Sequence, residues 1–182
     1  TGSAGFIGFH AAKKFLDKGI KVHGFDSIND YYDVRLKISR LNILKKYKNF
    51  SFTKGLLENQ KLLNKSVLKF KPTIIIHLAA QAGVRYSIDN PRSYLESNIV
   101  GTFELLEAAR AYPPEHILIA STSSAYGANS EMPHRETDKA DNQMSFYAAT
   151  KKSTESMAHS YSHIFELPIT MFRFLCFPMQ IE

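Results

Sequence analysis

The sequence predicts a doubly wound α/β fold, a parallel β-sheet with helices on both faces, and three observations carry that prediction. Short β-branched or aromatic runs alternate with longer amphipathic stretches, the pattern of repeated βαβ units. Glycines at 2, 5 and 8 form a turn that opens directly into the first amphipathic stretch. The run from Thr73 to Leu78 is apolar almost throughout, as a parallel strand covered on both faces requires.

Taken in order, a helix is expected from about Phe6 to Lys18, closed by Gly19, and a strand from Lys21 to Phe25. A second helix from Val34 to Tyr47 leads to a short strand at Phe50 to Thr53. Helical spacing from Asn59 to Phe70 stops before Pro72, and Thr73 to Leu78 follows as a strand. Pro91 to Ala111 reads as one long helix, Glu115 to Ala120 as a strand, Phe146 to Phe165 as a helix and Pro168 to Phe174 as the last strand. Five strands are therefore expected in one domain, residues 1–182. In such sheets the strand that feeds the glycine turn is central, and here the turn begins at residue 2. Residues 1–182 are accordingly expected to be an excerpt without its first strand, aggregation-prone and inactive when expressed alone.

With 44% hydrophobic and 22% charged residues, the composition excludes disordered, collagenous and low-complexity classes. A single cysteine, Cys176, rules out an internal disulfide or a zinc-type cysteine cluster, and it is read as a buried thiol. No apolar run reaches the roughly 18 to 20 residues of a membrane span, so a cytoplasmic protein with no membrane partner is expected. Between Arg35 and Lys71 eleven basic residues face one acid, Glu58, within a chain of net charge +6. No arginine-and-aromatic nucleic-acid motif accompanies that block, and its lysines alternate with Leu36, Ile38, Leu41 and Leu63 at helical spacing. Two solvated helix faces are expected there, and no nucleic-acid partner. His159 and His163 stand four apart but lack the remaining ligands of a metal site, so no metal is expected.

The residues that carry chemistry stand at turns and strand ends. Gly2 permits a tight turn, Gly5 lets backbone N–H groups approach a pyrophosphate, and Gly8 is expected to allow close packing of helix on strand. Asp26 ends the next strand about 20 residues on, where a carboxylate accepts hydrogen bonds from adenosine ribose hydroxyls and repels a 2′-phosphate. Tyr147 and Lys151 share one helix face one turn apart, and an ammonium beside a phenol favours the phenolate, a usable general base. Ser121 to Ser124 follow a predicted strand at the carboxyl edge of the sheet, the usual ligand edge; serine-rich turns also serve as simple caps.

Together these residues resemble the extended short-chain dehydrogenase/reductase superfamily, a Rossmann-type fold. Within it the chain is most similar to the NAD-dependent nucleotide-sugar epimerase and dehydratase branch, and there to the UDP-glucuronate 4-epimerase group. The resemblance rests on Thr1 to Gly8, the Asn29-Asp30-Tyr31-Tyr32-Asp33 run, His77 to Ser87 with its Ala82-Gly83-Val84-Arg85-Tyr86-Ser87, Asn98 to Thr102, Ser121 to Gly127, and Tyr147 to Lys151. It implies NAD held by Gly2, Gly5, Phe6, Ile7, Gly8, Asp26, Leu78, Ala79, Ala80, Tyr147 and Lys151. It implies that Tyr147 takes the proton of the sugar 4-hydroxyl while the C4 hydride moves to NAD, with Lys151 on the nicotinamide ribose and Thr122 relaying the proton. Arg85, Ser123 and Ser124 would meet the UDP-sugar, Arg85 through a carboxylate or the diphosphate unless it is a surface arginine. Asn98 would brace the backbone of the site, and the parent enzyme would be a homodimer. Where the family usually has Asp followed by Ile or Leu after the third strand, this chain has Gly55-Leu56-Leu57, and Leu175-Cys176-Phe177-Pro178 replaces a Tyr-Gly-Pro turn. The resemblance further implies that the sugar-binding C-terminal region lies outside these residues. A dehydratase or decarboxylase of the same branch, or a non-catalytic dinucleotide-binding module, are the alternative readings.

Overall fold

A computed structural model describes residues 1–129 and 132–175. Helix α1 (Phe6–Asp17) starts from an extended Gly5 with no side-chain cap, which leaves its first-turn N–H groups open. Strand β1 (Val22–Asp26) leads to α2 (Val34–Leu44), whose start is capped by Asp33 accepting from the Arg35 amide at 2.9 Å. Strand β2 (Phe50–Lys54) follows, then α3 (Gln60–Phe70), capped by Asn59, and strand β3 (Ile74–His77). The short helices α4 (Tyr86–Asp89) and α5 (Pro91–Tyr94) precede a wide π-helical turn at Leu95–Val100 and helix α6 (Gly101–Ala111). Strand β4 (His116–Thr122) ends in a 3₁₀ turn at Ser123–Tyr126, and α7 (Phe146–Phe165), capped by Ser145, leads to β5 (Ile169–Phe174).

The five strands stand where the alternation of apolar runs places them, and three details differ from expectation. Helix α2 ends at Leu44 because Lys45 to Tyr47 tighten into turns, the Tyr47 amide bonding Leu44 O at 3.1 Å. The expected single helix from Pro91 to Ala111 is interrupted by the π turn, which carries the buried Asn98. Strand β3 is not covered on both faces: Ile75 and His77 are buried, but Ile74 is 47% exposed.

The exposure of Ile74 follows from the sheet topology. All pairings are parallel, but they form two separate sheets, β1-β2 and β3-β4-β5. Between β1 and β3 lies an apolar slot of about 290 Å³, lined among others by Val22, Phe25, Ile74, Ile76, Phe15 and Val67. Thr1 and Gly2 bridge its upper end, the Thr1 amino group donating to Ile76 O at 2.7 Å and the Gly2 amide to Phe25 O at 2.8 Å. The core forms two clusters, and the larger one reaches across to Phe25 of β1. Phe9, Ala12, Leu16 and Leu44 pack in one cluster, while Leu63, Ile75, Leu105, Leu106, Ile117 and Ile119 belong to the larger one.

Two truncations should separate the packed sheet from the slot. Ile119→Ala removes a side chain with no exposed surface and should lower stability by about 2–5 kcal/mol. Ile74→Ala should cost less than about 1 kcal/mol in residues 1–182. Urea unfolding midpoints of the two variants check the contrast, and equal losses would contradict the open slot.

Candidate active site

The glycine turn is built by close backbone approaches. Gly2 takes φ +69°, and a Cβ there would lie 2.8 Å from the Ala79 amide nitrogen, so both its conformation and its surroundings admit only glycine. A Cβ at Gly8 would lie 2.0 Å from Gly2 O. Gly8 therefore lets α1 close on the turn's own backbone, not on a strand as expected. Asp26 is buried at the end of β1, and both its oxygens are occupied: Oδ2 accepts from the Ala4 amide at 2.9 Å and Oδ1 from the Ile28 amide at 2.8 Å. The carboxylate thus ties the glycine turn to the strand before it meets any ligand.

These groups face a cavity of about 180 Å³ whose walls include Gly2, Gly5, Asp26, Leu78, Ala79 and Ala80. Gly55, Leu56 and Leu57, which depart from the family pattern, also line it. Glycine backbone, an uncapped helix start and a strand-end carboxylate suit an extended dinucleotide, with a pyrophosphate at the helix and a ribose at Asp26. Phe6 and Ile7, in the uncapped first turn of α1, are 65% and 52% exposed and do not line this cavity.

The sequence reading missed Lys37. It belongs to the basic block, yet it is 5% exposed and lines the same cavity as Asp26, with its ammonium 2.8 Å from Asn29 O and over the Tyr32 ring at 4.3 Å. Burial lowers its pKa, and Asp26 and Asp30 oppose that effect. The solvated-face expectation fails at this position, since one turn of α2 points inward. A lysine aligned with the apolar rows of α2 was the only available signal.

A second group stands at the end of β4. Lys151 is 4% exposed on α7 and donates to Ala120 O at 2.5 Å. Burial pushes its pKa down to about 8, with Glu155 opposing. Tyr147, one turn earlier, meets Tyr94 edge-on at 6.0 Å, and Tyr94 is fully buried with its hydroxyl 2.7 Å from Ala82 O. Thr122 accepts from the Ser124 amide at 3.2 Å, so it caps the 3₁₀ turn in which Ser123 and Ser124 are half-buried. Asn98 joins the two groups: it accepts from the Gln81 amide at 2.7 Å and donates to Gln81 O and Thr150 Oγ1, both at 3.0 Å, and Thr150 donates to Tyr147 O at 2.8 Å. Thr122 to Ser124 stand at the carboxyl end of β4, Tyr147 and Lys151 on α7, and Tyr94 and Asn98 on α5 and the π turn that pack against it. Arg85 is exposed at the start of α4 and lines no wall of the 180 Å³ cavity. His159 and His163 are both exposed, and among the described residues no group of three His, Cys, Asp or Glu is arranged to hold a metal. Cys176 and the residues after it lie outside the described residues. Among those described, no helix is long and apolar enough to cross a membrane.

The glycine turn, Asp26 and the helix that carries Tyr147 and Lys151 stand together on a Rossmann-type parallel α/β fold. The chain belongs to the GDP-mannose 4,6 dehydratase family, whose model matches residues 1–178. It is 52% identical over 174 residues to the probable UDP-glucuronate 4-epimerase of Rhizobium meliloti (strain 1021), covering 96% of this chain and 51% of that protein. It is also 52% identical over 174 residues to Protein CapI of Staphylococcus aureus, covering 96% of this chain and 52% of the relative. Among solved structures, the UDP-glucuronic acid 4-epimerase from Bacillus cereus in complex with UDP-glucuronic acid and NAD superposes with a TM-score of 0.87 at 32% identity, over 94% of this chain and 54% of that one. The chain spans about half the length of the curated relatives it matches.

The buried lysine gives a pH prediction. Its folded pKa of about 8 lies below the ordinary 10.5, so between those values the unfolded chain binds the extra proton and stability rises with pH. Relative to Lys151→Met, the unsubstituted protein should gain about 1–3 kcal/mol over that window, read from urea unfolding at its two ends. A flat difference would mean that the ammonium is solvated.

Proposed function

We propose that this chain is the cofactor-binding half of an NAD-dependent nucleotide-sugar 4-epimerase that converts UDP-glucuronate to UDP-galacturonate. The observation that carries the reading is the pairing of a dinucleotide cradle ending in Asp26 with Thr122, Tyr147 and a buried Lys151 at the same edge of the fold. The 52% identity to a probable UDP-glucuronate 4-epimerase and the likeness to an enzyme solved with UDP-glucuronic acid and NAD support the substrate and the cofactor. A pure dinucleotide-binding module needs no proton-transfer group. A dehydratase needs an added acid/base pair beside the sugar, and here Ser123 and Ser124 stand where the dehydratases of the branch carry Asp-Glu.

The cofactor would lie along Gly2, Gly5, the first-turn amides of Phe6, Ile7 and Gly8, Asp26 and Leu78 to Ala80, and would reach Lys151 with its nicotinamide ribose. When bound, NAD supplies a reversible hydride acceptor for the sugar's C4. Tyr147, as phenolate, takes the proton of the 4-hydroxyl, and the Lys151 ammonium favours that phenolate. Thr122 Oγ1 accepts from the Ser124 amide and keeps its own proton to donate toward the same oxygen. When the ketone at C4 has turned its other face, Tyr147 returns the proton, so only the configuration at C4 changes. Arg85 is proposed to meet the substrate carboxylate. The parent enzyme is proposed as a cytosolic homodimer, for which the exposed Phe103, Ile164 and Phe165 offer an apolar surface.

Product analysis of the full-length parent enzyme with UDP-glucuronate tests the reading, and an unsaturated or decarboxylated product would exclude it. Tyr147→Phe should lower turnover by about 10²-fold or more with NAD affinity nearly unchanged, and Thr122→Val should lose less because Ser123 or water can replace it. In the same series Arg85→Ala should weaken use of UDP-glucuronate more than of neutral UDP-glucose; equal losses would exclude the carboxylate role.

The Asp26 carboxylate also sets cofactor choice. NADP should bind at least about fivefold more weakly than NAD, because like charges about 4 Å apart repel by about 1 kcal/mol even in water. Lys37 in the same cavity opposes this, so equal or tighter NADP binding, measured by calorimetry, would show that the lysine outweighs the carboxylate.

A further inference from the structure

Tyr147, Lys151 and Glu155 follow at intervals of four on α7, which sets them along one helix face on successive turns. The first two belong to the proposed proton-transfer group, whereas Glu155 has no part in it. Its side chain is nevertheless only 11% exposed, and donors from three elements converge on it. Ser121 of β4 donates to Oε1 at 2.6 Å, and Arg173 of β5 donates through Nε to Oε1 at 2.9 Å and through Nη2 to Oε2 at 2.8 Å. Lys152 of α7 reaches Oε2 at 3.4 Å.

What this carboxylate holds is the end of β4. Two consecutive residues are bonded to α7 there, Ala120, whose carbonyl accepts from Lys151, and Ser121, which donates to Glu155; Thr122 of the proposed proton-transfer group follows directly. Lys151 and Glu155 thus grip adjacent residues of one strand from one helix face, which restrains α7 from sliding or turning against β4. The far side of the clamp is fixed as well. Arg173 pairs in register with Ser121 and lies over the Tyr126 ring at 4.5 Å. A buried ion pair of this kind seldom gives more stability than apolar side chains of the same size, so stability alone does not account for it.

We propose that Glu155 is a positioning residue: clamped by Arg173 and Ser121, it fixes the end of β4 and with it the placement of Thr122 against Tyr147 and Lys151. The proposal rests on the reading of those three residues as the proton-transfer group. Its second consequence is electrostatic. Lys151 is buried, and the groups around it and Glu155 are His77 of β3, Arg173 of β5 and Lys152 of α7. His77 is held neutral by burial, so Glu155 is the anion among them that favours the lysine's charged form.

The test uses the full-length parent enzyme. Glu155→Gln keeps the size and an acceptor for Ser121 but removes the charge, while Ser121→Ala cuts the strand contact and keeps the ion pair. Both should lower kcat about tenfold with the KM for the UDP-sugar and the affinity for NAD within about threefold, as misplacement of reacting groups does. Carbon-13 NMR titration of the Lys151 side chain, assigned with Lys151→Arg, reads the electrostatic part without turnover. Glu155→Gln should move its midpoint down by about one unit, and Ser121→Ala should leave it in place. Unchanged kcat in both variants, or unchanged kcat in Ser121→Ala where Glu155→Gln does not fold, overturns the proposal. An active Tyr147→Phe enzyme would instead remove the proton-transfer reading, and the Lys151 titration would still decide whether Glu155 acts on that lysine.

Discussion

The close backbone approach at residues 1 to 8 is the constraint on which the rest of this fold depends. Thr1 bonds β3 and Gly2 bonds β1, so the turn joins two sheets that do not otherwise pair. The Thr1 hydroxyl lies 2.8 Å from His77 Nδ1 and accepts from the Ala79 amide at 3.1 Å, while His77 Nε2 meets Thr102 of α6 at 3.1 Å. A side chain at position 2 or 8 would collide with backbone and not with a movable side chain, so the surroundings cannot yield. The same turn that joins the sheets also sets Gly2 and Gly5 in the wall of the cavity, just before the uncapped start of α1.

Polar groups buried behind the site carry that placement outward. Asp26 binds the glycine turn and its own loop with its two oxygens. Asn98 spends all its bonds on Gln81 and Thr150, and so connects the strand-end turn after β3 to the helix bearing Tyr147. The wide π turn that carries Asn98 is the local departure from α-helix that places this amide between the two elements. Glu155 and Arg173 do the same for β4 and β5. Buried polar groups are costly unless satisfied, and satisfied ones fix a single arrangement, which a site for proton transfer requires.

Burial also sets the charges. Lys151 is held among β4 and α7 with one carbonyl and one nearby carboxylate to compensate, and its pKa falls toward working pH. Lys37 is held beside Asp26 and is lowered for the same reason. In both places a lysine that would be a solvated surface charge becomes part of a site because a helix turns it inward.

The sequence by itself determined the order of elements and the parallel α/β class, and it offered most of the residues that the structure gathers at the two groups. Alternation of apolar runs is set by the local period of strands and helices, and glycines at 2, 5 and 8, Asp26, and the Tyr147–Lys151 spacing are short-range signals. Other features were decided only by tertiary structure: the contact of Gly8 with the turn's own backbone, the π turn at Asn98, the inward Lys37, and the clamp of Glu155 by Ser121 and Arg173. The contact of Gly8 is local but depends on how tightly the turn closes, whereas the clamp and the joint of the sheets depend on segments distant in sequence, 34 residues apart for Ser121 and Glu155 and 75 for Thr1 and Ile76. Helical spacing tells which residues share a face, but only the packing of that face against a particular strand decides which of them lose water and find a partner.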